Sequence, residues 1–94
     1  MTKSFAQFDS EVRARGASEV LERQWGAGAV VQPHLHPFDA DALVVQGEMW
    51  LTVGEETRHL LPGDTFLIGR GVMHAERYGE QGATFWVGRH SDAA

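Results

Sequence analysis

His34, Leu35 and His36 form a pair of imidazoles spaced by one residue, and His74 lies forty positions further on. Side chains alternate along a β-strand, so on a strand both histidines of the pair project to one face with α-carbons roughly 6.5–7 Å apart. Their ring nitrogens can then converge on one ion. A third imidazole from a neighbouring strand would complete a set of three neutral nitrogen donors. Such a set suits iron, nickel, copper, zinc or manganese and leaves coordination positions open for a substrate. The same pair also suits a solvated strand start before Pro37, and spacing alone does not separate the two.

What must position these residues is a single domain of 94 residues, large enough for one core and small enough for that core to be marginal. Cysteine is absent. Disulfides, thiolate catalysis and zinc–thiolate sites are therefore excluded, and any metal must be held by nitrogen and oxygen. The formal charge is −5, with one lysine and seven scattered arginines, which argues against a nucleic-acid partner. The N-terminal stretch lacks an apolar core of signal-peptide length, and the longest aliphatic run, Ala42 to Val45, is far too short to span a bilayer. A cytoplasmic location without a membrane partner is the expectation.

Residues 9–16 predict one short helix, with Asp9 or Ser10 as cap and Gly16 as the left-handed stop. Thereafter short apolar runs alternate with glycine. Strands are expected over 20–25, over 29–32 with Pro33 as the stop, over 40–46, and over 49–53 after an interruption at Gly47. Further runs cover 57–61, 65–68, 73–78 and 83–87, separated by turns at 54–56, 62–64, 69–71 and 79–82. Seven to nine short strands with one helix predict an all-β sandwich or barrel. The domain boundaries expected are an N-terminal arm carrying the helix over 1–18, a barrel over 19–89 and a disordered tail over 90–94.

Two segments carry a resemblance to a known family. Gly28-Ala-Val-Val-Gln-Pro-His34-Leu-His36 leads on to Gly47. After fifteen intervening residues Gly63-Asp-Thr-Phe-Leu-Ile-Gly69-Arg-Gly71-Val-Met-His74-Ala-Glu-Arg-Tyr78 follows. Together they resemble the two motifs of the cupin superfamily, over about sixty residues from Gly28 to Phe85 or beyond. The resemblance implies a small jelly-roll β-barrel of the RmlC-like type, one bound divalent transition metal (iron, nickel, zinc, manganese or copper) on His34, His36 and His74, a small-molecule ligand and a homodimer. Three positions depart from the motifs. Gly69 replaces a proline, Tyr78 replaces an asparagine, and Ala40 occupies the usual place of a metal-binding glutamate. A bulge that turns Asp41 inward would supply the missing carboxylate; without one, Asp39 and Asp41 point to the opposite face from Ala40.

Glu76 shares strand parity with His74, which makes it a candidate fourth ligand or general base. Tyr78 continues that face and is a candidate hydrogen-bond donor to a substrate oxygen, or a packed ring with a wet hydroxyl. His59 is expected at a surface or edge, and His90 in the frayed tail. No serine or cysteine nucleophile stands beside a base, and Gly26-Ala-Gly28 lacks the residues of a phosphate loop. Three neutral ligands leave a divalent ion its full charge, which favours anionic substrates. The ligand set resembles that of three-histidine cupins that activate dioxygen against diketones or small thiols. Two functions are therefore expected as alternatives. One is a metal-dependent enzyme of dioxygenase or isomerase type acting on a small organic acid, diketone or thiol. The other is a non-catalytic module that senses a small molecule or metal.

Overall fold

A computed structural model describes residues 3–90 of the chain. It comprises α1 (Phe5–Ala14), β1 (Glu19–Trp25), β2 (Val30–His34), β3 (Asp39–Val53), β4 (Glu56–Leu60), β5 (Thr65–Ile68) and β6 (His74–His90). All the strand pairings are antiparallel. The long strands β3 and β6 pair with each other over most of their length and serve two sheets in turn. The first half of β3 and the second half of β6 are flanked by β5 and β1, and their other halves by β4 and β2. Folding one ribbon across two sheets in this way produces the expected small jelly-roll β-barrel.

The strands are fewer than the glycine punctuation predicts, because two of the expected breaks are bulges. Between Gly47 and Met49 of β3 the partner register runs from Ala83 to Tyr78, so one β3 residue faces four of β6. The 79–82 segment is thus a wide bulge inside one strand. Gly47 (φ +81°) and Gly82 (φ +68°) adopt the left-handed conformation there. A Cβ on Gly47 would stand 2.1 Å from the Gly82 carbonyl oxygen. Backbone atoms offer no side-chain escape, so Gly47→Ala is expected to destabilise the fold by about 2–3 kcal/mol. Chemical denaturation checks this, and a variant within about 0.5 kcal/mol of wild type would show that the bulge tolerates a side chain.

Pro33, expected to stop its strand, lies inside β2. The register of β2 slips between Val31 and His34, so the missing proline N–H costs no ladder bond. The helix begins earlier than expected. Ser4 caps it through a reciprocal box with Gln7, whereas Asp9 and Ser10, the two expected caps, lie inside the helix, where Asp9 pairs with Arg13 at 2.7 Å. Gly16 (φ +110°) does mark the stop. Phe8 and Val12, one turn apart, are the buried residues of the helix and pack near Trp86. The main core lies between the sheets, where Ala42, Val44, Met49, Leu51, Leu60 and Tyr78 are almost wholly buried. His90 ends β6 opposite Asp39 instead of fraying, and residues 91–94 lie outside the described residues. No helix among the described residues is long and apolar enough to cross a membrane.

Candidate metal centre

β2 and β6 bring the histidines together by direct pairing. His34, the last residue of β2, is the cross-strand partner of His74, the first residue of β6. His36 follows two residues later, just beyond the strand, and its carbonyl accepts from the Gly71 N–H at 2.8 Å, which ties the two loops together. Ring centroids are 4.2 Å apart for His34–His74, 4.8 Å for His34–His36 and 5.0 Å for His36–His74. One donor atom from each histidine lies within 4.8 Å of the other two. Three nitrogens on one ion stand at about 3.3 Å from one another, so small side-chain rotations close the set.

The tautomers are defined by the surroundings. The Nδ1–H of His34 donates to the Gln32 carbonyl (2.8 Å) and that of His74 to the Val72 carbonyl (3.0 Å). A carbonyl only accepts, so each Nδ1 carries a proton and Nε2 is the ring nitrogen available to an ion. This is how proteins orient imidazole ligands. His74 is 2% exposed, and its Nε2 is buried without a hydrogen-bond partner. An orphaned buried acceptor is costly, and an ion at that point would satisfy it. The residues therefore fit a divalent metal. Burial, followed by the nearby His74 and His34, pushes the His36 pKa below its ordinary value and favours the neutral, ligating form.

Glu76 joins the three imidazoles. Its Oε2 lies 3.5 Å from His74 Nε2 and 3.8 Å from His34 Nε2. The other oxygen, Oε1, accepts a short hydrogen bond from the Tyr78 hydroxyl. Tyr78 is 2% exposed and stacks on Trp25. Burial, and then the Glu76 carboxylate, drive its pKa far above the ordinary phenol value, so the hydroxyl keeps its proton. Tyr78 therefore acts on Glu76, and its hydroxyl is committed to that carboxylate instead of facing a substrate. Asp41 is not brought to the histidines. β3 pairs regularly with β5 and β6 from residue 40 to 43, and its first bulge comes only after Val44. Asp41 accordingly faces outward, bonded to Arg15 at 2.9 Å and 3.8 Å from His90. Asp39 is likewise outside, where the Arg70 backbone N–H and guanidinium hold its carboxyl below the usual range. Ala40, between them, lines the cavity beside the histidines.

That cavity has a volume of about 80 Å³. Phe66, Ile68, Phe85 and Val87 form its apolar wall, and Arg23 and Arg89 also line it. Both arginines lie outside the two motif segments. Strand parity offered a signal for both, since Arg23 alternates with Leu21 and Trp25 on β1, and Arg89 follows Phe85 and Val87 on β6. His59 sits on edge strand β4, stacked flat on Trp50 and bonded to Glu48.

Residues 22–88 match the family described as the cupin domain. KdgF from a Halomonas species is 29% identical, with a TM-score of 0.67 over 76% of this chain and 68% of that one. An RmlC-like cupin from Shewanella frigidimarina is 22% identical with a TM-score of 0.67, covering 79% and 67% of the two chains. The DMSP lyase DddQ from Ruegeria pomeroyi is 25% identical with a TM-score of 0.72 over 79% of this chain but only 38% of its own. No curated protein matches the sequence. Jelly-roll topology and the family match over most of the barrel agree, and the chain belongs to the cupin family.

Proposed function

We propose that the chain binds one divalent transition metal through His34, His36 and His74 and acts on a small organic acid, diketone or thiol held in the cavity beside it. The observation that carries this is the buried, partnerless Nε2 of His74, facing a second imidazole and a carboxylate. When bound, the metal supplies a Lewis acid that binds an anionic oxygen or sulfur and lowers the pKa of groups attached to it. Glu76 has two roles open to it, fourth ligand or proton acceptor, and both use Oε2, because Tyr78 occupies Oε1. The carbonyls of Gln32 and Val72 hold the imidazole rings in place. The apolar wall excludes water, which strengthens each electrostatic contact inside.

The reaction classes that suit this set are a proton shift, with Glu76 as base, and an oxidation that consumes dioxygen. Among similar structures, DddQ is described as a lyase, so at least one relative puts this fold to enzymatic use. We further propose that the chain works as a cytoplasmic homodimer. The exposed apolar side chains Val30 and Leu67 (60% and 76% exposed) offer burial that one small core lacks.

The test is metal stoichiometry by plasma mass spectrometry after reconstitution, with the His34/His36/His74 triple alanine as control. Metal-loaded protein is then assayed for oxygen uptake with diketones and thiols, and for solvent deuterium incorporation into small acids. About one equivalent of ion, lost in the control, is expected, together with one of the two activities. Ion binding without either activity would make the chain a non-catalytic binding module. No ion at all would overturn the metal-site reading.

A further inference from the structure

At the β1 side of the cavity two donors lack acceptors. Arg23, half-buried in the wall, bonds to no protein acceptor among the described residues; its guanidinium lies over the Trp25 ring, 5.4 Å from the centroid. The Nε1–H of Trp25, which lines the same cavity, is buried and also without a partner. Buried donors are almost always satisfied, so the orphaned Trp25 indole, beside a half-buried guanidinium with no protein acceptor, marks the place of a missing acceptor. Arg89, at the other end near His36, differs because its guanidinium is engaged with Glu19 at 3.3 Å and over Phe38 at 4.7 Å. Tyr78, on the Arg23 side, has its hydroxyl committed to Glu76 and is no acceptor for either.

Charge points the same way. Imidazoles that ligate an ion do so in the neutral form, the Glu76 carboxylate offsets one positive charge, and Arg89 is compensated by Glu19. A divalent ion and Arg23 then leave two positive charges without partners in a small cavity. We propose that Arg23 and Trp25 form a carboxylate subsite, and that the ligand of this centre is a small dicarboxylate. One carboxylate lies at the histidine cluster and the other accepts from Arg23 and the Trp25 indole. The inference rests on the metal-site reading for its first carboxylate and on Arg23 and Trp25 alone for its second. A cavity of about 80 Å³ points to a ligand of a few carbon atoms, such as malonate or succinate.

Calorimetric titration of zinc-loaded protein with malonate, succinate and acetate tests this, with metal content measured on the same samples. Wild type is expected to bind a dicarboxylate at least 10-fold more tightly than acetate. Arg23→Gln is expected to keep its zinc and its acetate affinity while losing about 10- to 100-fold in dicarboxylate affinity, the loss of one charge-assisted pair. Trp25→Phe should show a smaller loss in the same direction. Equal binding of dicarboxylates by wild type and Arg23→Gln, or equal binding of acetate and succinate by wild type, would overturn the subsite. Should the protein take up no zinc, the same titrations on apoprotein decide it. Arg23-dependent dicarboxylate binding there would uphold the subsite while the metal reading falls, and its absence would overturn the subsite too.

Discussion

A His74→Ala protein is expected to lose its divalent metal and, with it, any metal-dependent rise in thermal stability. His74 is the most buried of the three imidazoles, its Nδ1–H is held by Val72, and its Nε2 has no hydrogen-bond partner among the described residues. Removing a partner that merely orients a ligand typically costs 10–100-fold in metal affinity, so removing the ligand itself should cost more than about 100-fold. The thermal readout is large for a domain of this size. An ion present at 100 times its dissociation constant adds about 2.7 kcal/mol to the native state, which corresponds to roughly 10–20 °C in Tm. Wild type should show that shift on addition of zinc or nickel, and His74→Ala should show almost none. Circular dichroism at low temperature verifies that the variant still folds. A folded variant with an undiminished shift would place the ion elsewhere.

How far the sequence itself reveals this site depends on which residues obey period-2 alternation. Alternation and the glycine-flanked motifs suffice to locate His34, His36 and His74 and to anticipate Glu76 on the His74 face. In these segments the local backbone is regular or tied by direct strand pairing, so parity carries through to three dimensions. It misleads where a glycine has two possible uses. Gly47 and Gly82 look like turns, but each supplies a positive φ and a close backbone approach inside a continuous strand, a tertiary demand that no local pattern announces. The Ser4–Gln7 capping box is legible as Ser-x-x-Gln, and it starts the helix four residues ahead of the run from Asp9 that the charge pattern favours. Arg23 and Arg89 follow inward parity too. Arginine on an inward position conflicts with an apolar core, and only the cavity between the sheets resolves the conflict. The partnerless state of Trp25 Nε1 and His74 Nε2 has no sequence signature at all, because it depends on what every neighbouring strand fails to provide.

The carboxylate is where this chain departs most from its family pattern, and moving it back tests what Glu76 does. Glu76→Gln keeps the shape and the hydrogen bond from Tyr78 but removes the charge. Metal affinity is expected to fall about 10–100-fold if Oε2 is a ligand. Turnover is expected to fall by about 10²–10⁴ at saturating metal if Oε2 is the base. The double variant Ala40→Glu/Glu76→Gln separates the two roles. Ala40 faces the same cavity from β3, in register with Ile68 and Arg89, so a glutamate there can approach the ion from the opposite wall. It cannot take over the oxygen that Tyr78 orients, since that hydroxyl is held on the β6 side by position 76. Recovery of metal affinity without recovery of turnover is therefore the expected result. It would make Glu76 both the relocated ligand charge and the proton acceptor, two functions combined on one strand two residues from His74. Glu76→Gln with undiminished metal affinity and turnover would remove it from both roles and leave three imidazoles as the whole centre. The ion would then keep its full double charge, and the need for an anionic ligand in that cavity would be stronger still.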